Sequence, residues 1–197
     1  MSTGMIIILI CAIFFVALFL FLYVVITYNR LIAEIEAVKN SERQIDVQLD
    51  RRFKIFESLI SAVNKYIDHE KTVLRDVAAL RSKAVDAKNS GDKESQFSFE
   101  DALSNIAKGF SVQVEAYPDL KANQNVMQLQ EEITNTENKL AYSKQAYNDS
   151  IEKYNVDKKS FFASMVVGIF HKLNSEFAYW NVSDEKRETL EDYTAKL

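Results

Sequence analysis

Residues that interrupt helices are scarce in this chain of 197 residues. It has four Gly and one Pro, Pro118, and neither type occurs between Tyr28 and Asn89. Gly and Pro end helices and supply the tight turns that connect strands. Their scarcity over such a length favours long helices over a sheet with many turns. We therefore predict an all-α fold.

Cysteine and surplus positive charge are also lacking. The only cysteine, Cys11, lies inside a long apolar run, and the formal net charge is −4. A disulfide framework, a Cys-rich metal site and thiol chemistry are thereby excluded for the rest of the chain. Nucleic-acid binding needs a basic face, so we predict no nucleic-acid partner.

The residue patterns that carry catalysis are absent from the sequence. His69 lies between Asp68 and Glu70, but adjacent side chains on a helix point about 100° apart and cannot converge on one ion. Neither His69 nor His171 has Glu three residues before it, as the di-iron bundles require. There is no Gly-rich phosphate loop, HExxH sequence or nucleophile elbow. We predict a protein that is not an enzyme and has no catalytic, cofactor or metal site.

One apolar run dominates the N-terminal region. It extends from Met5 to Ile26 without a charged residue, through Ile10, Phe15 and Leu20. At 1.5 Å per residue it covers about 33 Å, enough to cross a hydrocarbon core of about 30 Å. A signal peptide would be shorter and preceded by positive charge, and a lipoprotein would have a small residue before Cys11. We predict an uncleaved transmembrane anchor at residues 5–27.

Basic residues follow the run and none precedes it. Arg30, Lys39 and Arg43 come shortly after Ile26. The positive-inside rule then places the following domain in the cytoplasm and the N-terminus outside.

A heptad-like stripe follows the anchor. Steps of four and three residues from Leu31 to Ala84 meet apolar residues at thirteen of sixteen positions. We predict one continuous helix to about Asn89, which would extend about 90 Å from the membrane. The stripe either packs inside its own bundle or forms a seam with another subunit. Glu42, Arg52 and Glu70 interrupt it, so they are candidates for charge pairs that fix register or for subunit docking.

Two more amphipathic segments complete the bundle. The stretch Asn89–Asp92 predicts a loop. A second helix is predicted near Ser98, where Ser98 and Asp101 fit a capping box, and it must end before Pro118. A third should run from about residue 122 to beyond Tyr154. We predict an extended antiparallel bundle of long helices at residues 28–180, with a polar tail at 181–197.

The segment 161–180 is apolar around its first helical turns and too short to span a membrane. Six of its residues continue at helical spacing and are interface candidates: Phe162, Val166, Ile169, Leu173, Phe177 and Trp180. Such an apolar face needs cover. Three covers remain open from the sequence: the end of the bundle itself, a neighbouring subunit, or the membrane interface.

Several strings resemble the LemA family of bacterial membrane proteins. They are Tyr28-Asn29-x-Leu31, Gln44 to Phe53, His69-Glu70, Glu115 to Asn123, Leu129 to Glu132, Thr136 to Ala141, and the pairs Tyr147-Asn148 and Tyr154-Asn155. The resemblance covers roughly residues 5–175. It implies an N-terminal membrane span and a bundle of long helices, and it does not imply an enzyme. For a bacterial protein of this kind we expect the inner membrane.

The chain departs from the family pattern at three positions. Glu42 stands where the family often has Trp, while Glu57 and Phe162 stand where Pro is expected. Losing two helix breakers should leave both long helices straighter.

The sequence supports two hypotheses about function. The first is a membrane-anchored homo-oligomer of many copies that scaffolds or shapes the bilayer. The second is an anchored adaptor or sensor that binds another protein through its bundle. A many-chain particle in detergent would favour the first, and a monomer that captures one protein would favour the second.

Overall fold

The computed structural model describes residues 3–63, 70–115 and 123–180. It contains helices α1 (Thr3–Val63), α2 (Glu70–Ser90), α3 (Lys93–Glu115), α4 (Gln124–Lys159) and α5 (Phe161–Ile169), followed by a 3-10 turn at His171–Leu173. These residues include no strand. The predicted all-α fold, a long apolar N-terminal helix followed by a bundle, is confirmed.

The apolar run forms the first part of α1. Within that helix lies one window long and apolar enough to cross a membrane, and none of the window is buried against the rest of the protein. Five residues placed in the predicted span are more than half exposed: Met5, Ile10, Phe15, Leu20 and Ile26. A core helix of a soluble protein would bury such residues. This surface therefore has the composition and exposure of a span.

The prediction of one helix from Tyr28 to Asn89 is wrong. α1 ends at Val63, and α2 runs antiparallel to it, because Arg81 pairs with Asp50 and Lys88 with Asp46. The apolar residues keep the same four-and-three spacing on both sides of the point where the chain reverses. The spacing therefore gives no sign of the reversal. Because the stretch 28–89 is not one continuous helix, the prediction of a stalk 90 Å long is also wrong.

The loop between α2 and α3 lies where it was predicted, but α3 begins earlier than Ser98. Gly91 adopts a φ of +80°, and the N–H of Asp92 donates to the carbonyl of Ala87 over 2.9 Å, which closes α2. Asp92 Oδ1 then accepts the N–H of Ser95 at 3.0 Å. Asp92 is therefore the N-cap of α3, and this hydrogen bond holds its pKa below the usual value.

Glu57 and Phe162, which stand where the family pattern has Pro, both lie within helices. α1 passes through Glu57 without a break. α4 ends at Lys159, so Phe162 lies in α5 and not in α4. The expected straightening of the two long helices stays a prediction. The predicted third helix, from about residue 122 to beyond Tyr154, is confirmed.

The chain divides into two compact units. Unit 1 comprises Met1–Ser41 and Tyr147–Phe177, and unit 2 comprises Glu42–Ala146 and Ala178–Leu197. Unit 2 has an apolar core contributed by α1 to α4: Ile55, Phe56, Leu59, Ile60, Val63, Val77, Leu103, Ala107, Val126 and Ile133. In unit 1, α1 and α4 bury a second set together with the segment after α5: Leu31, Ile35, Val38, Ile151, Tyr154 and Leu173.

Candidate functional site

The membrane-facing candidate in unit 1 begins where the apolar run ends. Ile26 is 65% exposed, whereas the next residue, Thr27, is 3% exposed and Leu31 is fully buried. Neighbouring residues differ because they lie on different faces of α1: Tyr23 and Val24 are already half-buried in the last turn of the run. α4 packs against α1 just beyond the run, as shown by Arg30 Nε lying 3.8 Å from Asp157 Oδ2. No linker separates the apolar run from the packed helices of unit 1.

Tyr154 fixes the chain that follows α5 to α4. Its buried hydroxyl donates to the carbonyl of Leu173 and accepts the N–H of Ser175 at 2.9 Å. Lys158 Nζ donates to the carbonyl of Ser175 at 2.9 Å, and the Phe177 ring meets the Tyr154 ring edge to face. Burial raises the pKa of Tyr154. These bonds satisfy backbone groups of the non-helical segment after α5 and hold that segment against α4.

α5 buries one side and exposes the other. Ala163 and Val166 are buried against unit 1. Four apolar residues form the opposite surface, here called the α5 stripe: Phe161, Phe162, Met165 and Ile169. Their positions fall within an arc of about 100° on the helix. Each is more than 60% exposed, so the protein leaves a continuous apolar surface uncovered here.

Aromatic contacts join α5 to the end of the apolar run. The Phe162 ring lies edge to face on the Tyr23 ring, with 5.9 Å between centroids, and Phe170 does the same with Tyr28 at 5.1 Å. The α5 stripe is thus continuous with the exposed surface of α1.

A buried acidic group lies about two turns beyond the run. Glu34 is 6% exposed, and the nearest cation, Lys153, places its Nζ 3.9 Å from Oε1. Burial, together with the neighbouring carboxyl group of Asp157, raises the pKa of Glu34 to about 7. Lys153 and Arg30 oppose this rise. Glu34 therefore titrates near neutral pH.

Unit 2 contains a buried charge network centred on Arg52. This side chain is 4% exposed, pairs with Glu100, and donates to Ser104 Oγ at 2.8 Å and Glu137 Oε1 at 3.4 Å. Burial raises the pKa of Glu100, and the charge of Arg52 opposes that rise. All four groups are buried or half-buried, and three helices supply them. The network therefore ties α1, α3 and α4 in one register.

A second polar cluster in unit 2 surrounds Trp180. Its ring stacks on Phe97 with 4.0 Å between centroids, and Lys144 Nζ lies 4.5 Å from its centroid. Lys144 also pairs with Asp101 at 3.2 Å, and burial lowers the pKa of Lys144. Trp180 is thus an internal residue of unit 2.

Comparison with known families settles the relationship suggested by the sequence strings. Residues 41–191 match the model of the LemA family, which is more than half of the chain. The chain belongs to the LemA family. That family is not a known enzyme family. The match begins after the apolar run, so the resemblance of residues 5–40 stays a prediction. A search of curated proteins finds no significant match.

The interface candidates predicted for this LemA protein fall into separate groups. Glu42 pairs with Lys93 of α3 and Arg52 with its network, so both have partners within the chain. Glu70 begins α2, and its side chain, like all of His69, lies outside the described residues. For Glu42 and Arg52, these contacts favour the interpretation that the charge pairs fix the register of the bundle.

The apolar face predicted along 161–180 does not exist as one surface. α5 ends at Ile169, so Leu173, Phe177 and Trp180 are not on a helix with the others. Val166, Leu173 and Trp180 are buried and Phe177 is half-buried, whereas Phe162 and Ile169 are exposed. Tyr154 and Lys158 form hydrogen bonds with the backbone of Leu173 and Ser175, in a segment that is not α-helical. The helical spacing of the sequence therefore does not continue into this segment.

Sequence reasoning missed several residues that the structure brings forward. In the sequence, Glu34 lies next to the apolar stripe, and no pattern indicates that its side chain is buried. Tyr23 was counted only as part of the run, and the Lys144–Asp101 pair required the packing of α3 on α4. In the described residues no group of His, Cys, Asp and Glu could hold a metal ion, and His171 is exposed in the 3-10 turn.

Proposed function

We propose that this LemA protein is a membrane-anchored homo-oligomeric scaffold that organises or shapes the bilayer and is not an enzyme. The apolar run of α1 serves as its anchor. The proposal places unit 1 at the surface of the bacterial inner membrane. Arg30, Lys39 and Arg43 favour the cytoplasmic side.

The observation that carries this proposal is the direct junction between the apolar run and unit 1. α1 continues as one helix from Thr3 to Val63. Packing against the rest of unit 1 begins within the last turn of the run, where Tyr23 contacts Phe162, and it continues directly at Thr27, which is 3% exposed. A span joined through a flexible linker could take any angle to its domain. Here the angle between span and unit 1 is set by helix and packing.

That junction suits a scaffold because copies that pack side by side would impose a fixed angle on their spans. The bilayer must then adapt to the arrangement of the copies. An adaptor has no need of such coupling, since its binding surface works equally well on a flexible tether. Membership of a family with no known enzymatic activity agrees with a structural role.

The decisive experiment uncouples the span from unit 1. A flexible Gly-Ser segment is inserted between Ile26 and Thr27 of the full chain, and the protein is reconstituted in vesicles imaged by cryo-EM. We expect the wild type to form many-copy particles and to change vesicle shape. The insertion should leave anchoring and copy number intact but abolish the change of shape. The same segment inserted before Met5 is the control and should preserve it.

Two outcomes would contradict the proposal. One is a wild-type protein that is monomeric in detergent and leaves vesicles unchanged. The other is an insertion variant that still shapes vesicles as well as the wild type. A monomer that captures one other protein, with or without the insertion, would establish the adaptor instead.

A further inference from the structure

The α5 stripe is a cluster of four exposed apolar side chains that unit 1 leaves open outside the span. Phe161 is 76% exposed, Ile169 68%, Met165 62% and Phe162 61%. Single exposed apolar residues are ordinary, but four adjacent ones form a patch that marks an interaction site. The occupant must be apolar, because only Ser164 and Gly168 flank the stripe on its exposed side.

The position of the stripe identifies that occupant. Phe162 contacts Tyr23, which precedes Ile26 by three residues and so lies about 4.5 Å inside the end of the apolar run. Phe170, at the other end of α5, contacts Tyr28, just beyond the run. α5 therefore begins at the depth of the last turn of the span and rises to its boundary. At that depth the surrounding medium is lipid.

The charges on either side of α5 fit the same location. Residues 158–175 include three Lys, Lys158, Lys159 and Lys172, and no Asp or Glu. Lys159, which precedes α5, and Lys172, which follows it, are both exposed. Lysines at such a boundary place their amines among anionic headgroups while their stems cover apolar surface. Tyr23 and Tyr28 supply the aromatic belt typical of a membrane interface.

From this geometry we infer that α5 is an interfacial helix inserted into the leaflet from which the span emerges. Phe161, Phe162, Met165 and Ile169 enter the acyl boundary, and Lys159 and Lys172 contact anionic headgroups. The lipid bilayer, and no second copy of the chain, covers the stripe. The inference rests on the proposed anchoring of the span and is independent of the oligomeric scaffold.

The test places an environment-sensitive NBD fluorophore on single cysteines of the full chain in vesicles of phosphatidylcholine with a minority of phosphatidylglycerol. Met165→Cys in a Cys11→Ser background reports on the stripe. Ala37→Cys in the same background is the matched control. Ala37 is exposed on α1 and lies about 16 Å past Ile26. The native Cys11, exposed within the run, reports on anchoring itself.

Lipids that carry a nitroxide on the acyl chain near the carbonyl quench fluorophores inserted at the interface. We expect the Met165→Cys fluorophore to emit at shorter wavelength and to be quenched at least about twofold more than the one at Ala37→Cys. Removing phosphatidylglycerol should reduce this difference, because Lys159 and Lys172 lose their anionic partners.

Four results would overturn the inference. A Met165→Cys fluorophore that is blue-shifted yet unquenched by the lipid nitroxide would be covered by a second copy. One that is unshifted and quenched by aqueous iodide would face water. If Cys11 is quenched and Met165→Cys is not, the anchor stands and the interfacial helix fails. If neither is quenched, anchoring fails as well.

Discussion

Unit 2 and unit 1 place their polar and apolar groups in opposite ways. Unit 2 buries a cation, Arg52, and surrounds it with Glu100, Glu137 and Ser104. Unit 1 buries an acid, Glu34, beside a second carboxyl and with its nearest cation 3.9 Å away. Unit 1 also leaves apolar side chains on its outside, along the run and the α5 stripe.

This difference agrees with the proposal that unit 1 meets a membrane and unit 2 meets water. A shift of the helices would leave Arg52 or its carboxylates buried without a partner at a high cost in free energy, so the network favours one register of the bundle. Exposed apolar residues would cost unit 1 solubility if water surrounded it. They cost nothing where lipid covers them. The predictions below test each side of this comparison.

Arg52→Met should produce the largest loss of stability. The variant leaves Glu100 buried without its cation, and breaking a buried ion pair on one side costs about 3–5 kcal/mol. Urea unfolding of the full chain in detergent, followed by circular dichroism, measures the change. The adjacent Arg51 is the control, because its side chain is 48% exposed and reaches Glu132 only at 3.4 Å.

Arg51→Met should cost about 0–1 kcal/mol, as exposed ion pairs do. If the two substitutions cost the same, the Arg52 network does not fix the bundle, and the contrast between the units loses its basis.

Tyr154→Phe should be the most damaging conservative change in unit 1. It removes the hydroxyl that accepts from Ser175 and donates to Leu173, and leaves one buried and one half-buried backbone group without this partner, at a cost of about 1–3 kcal/mol. Limited proteolysis should cleave the segment after α5 faster than in the wild type. Tyr142→Phe is the control: its side chain is 73% exposed, so the substitution should change neither the stability nor the rate of cleavage. Equal protease resistance of both variants would contradict the assigned role of the hydroxyl.

Glu34 should make the stability of unit 1 depend on pH. Its folded pKa, about 7, lies above the ordinary 4.5. The folded state therefore favours the protonated acid, and the stability contribution is complete below pH 4.5 and lost as pH rises through 7. Above pH 7, Glu34→Gln should be more stable than the wild type by on the order of 1 kcal/mol, with no difference at low pH.

The control for Glu34 is Glu36→Gln on the same helix, where the side chain is exposed and pairs with Lys39 at 2.7 Å. It should change the free energy of unfolding by less than about 0.5 kcal/mol at every pH. A pH dependence that survives Glu34→Gln would assign the titration to another group.

Periodicity predicted the buried face of α1 but not where the chain reverses. Leu31, Ile35 and Val38 are buried as expected, and so are Val77 and Ala84 beyond the reversal. A stripe depends only on spacing within each helix, so two antiparallel helices that share a core can keep it in step. No Gly or Pro marks the stretch between Val63 and Glu70, which is why the break was missed.

The candidate site was less predictable, for reasons visible in individual residues. Arg52 on an apolar stripe predicted a partner, but Glu100 is brought to it only by the packing of α3 on α1. α5 is apolar all round, so its sequence does not determine which side is buried. Ala163 settles this, because its small side chain is fully buried in unit 1 and turns Phe161 and Met165 outward.

Ile169→Asp should have the smallest effect on folding and the clearest effect on the membrane contact. Ile169 is 68% exposed, so the substitution should change the free energy of unfolding by no more than about 0.5 kcal/mol. Val166→Asp, three residues earlier and 3% exposed, should cost several kcal/mol because it buries an unpaired carboxylate. With lipid on the stripe, the Ile169→Asp particle should keep its size in detergent, while the Met165→Cys fluorophore combined with it should lose quenching by lipid nitroxides. A smaller particle would show instead that the α5 stripe joins neighbouring subunits. The same substitution thus separates a surface that meets lipid from one that meets a second copy.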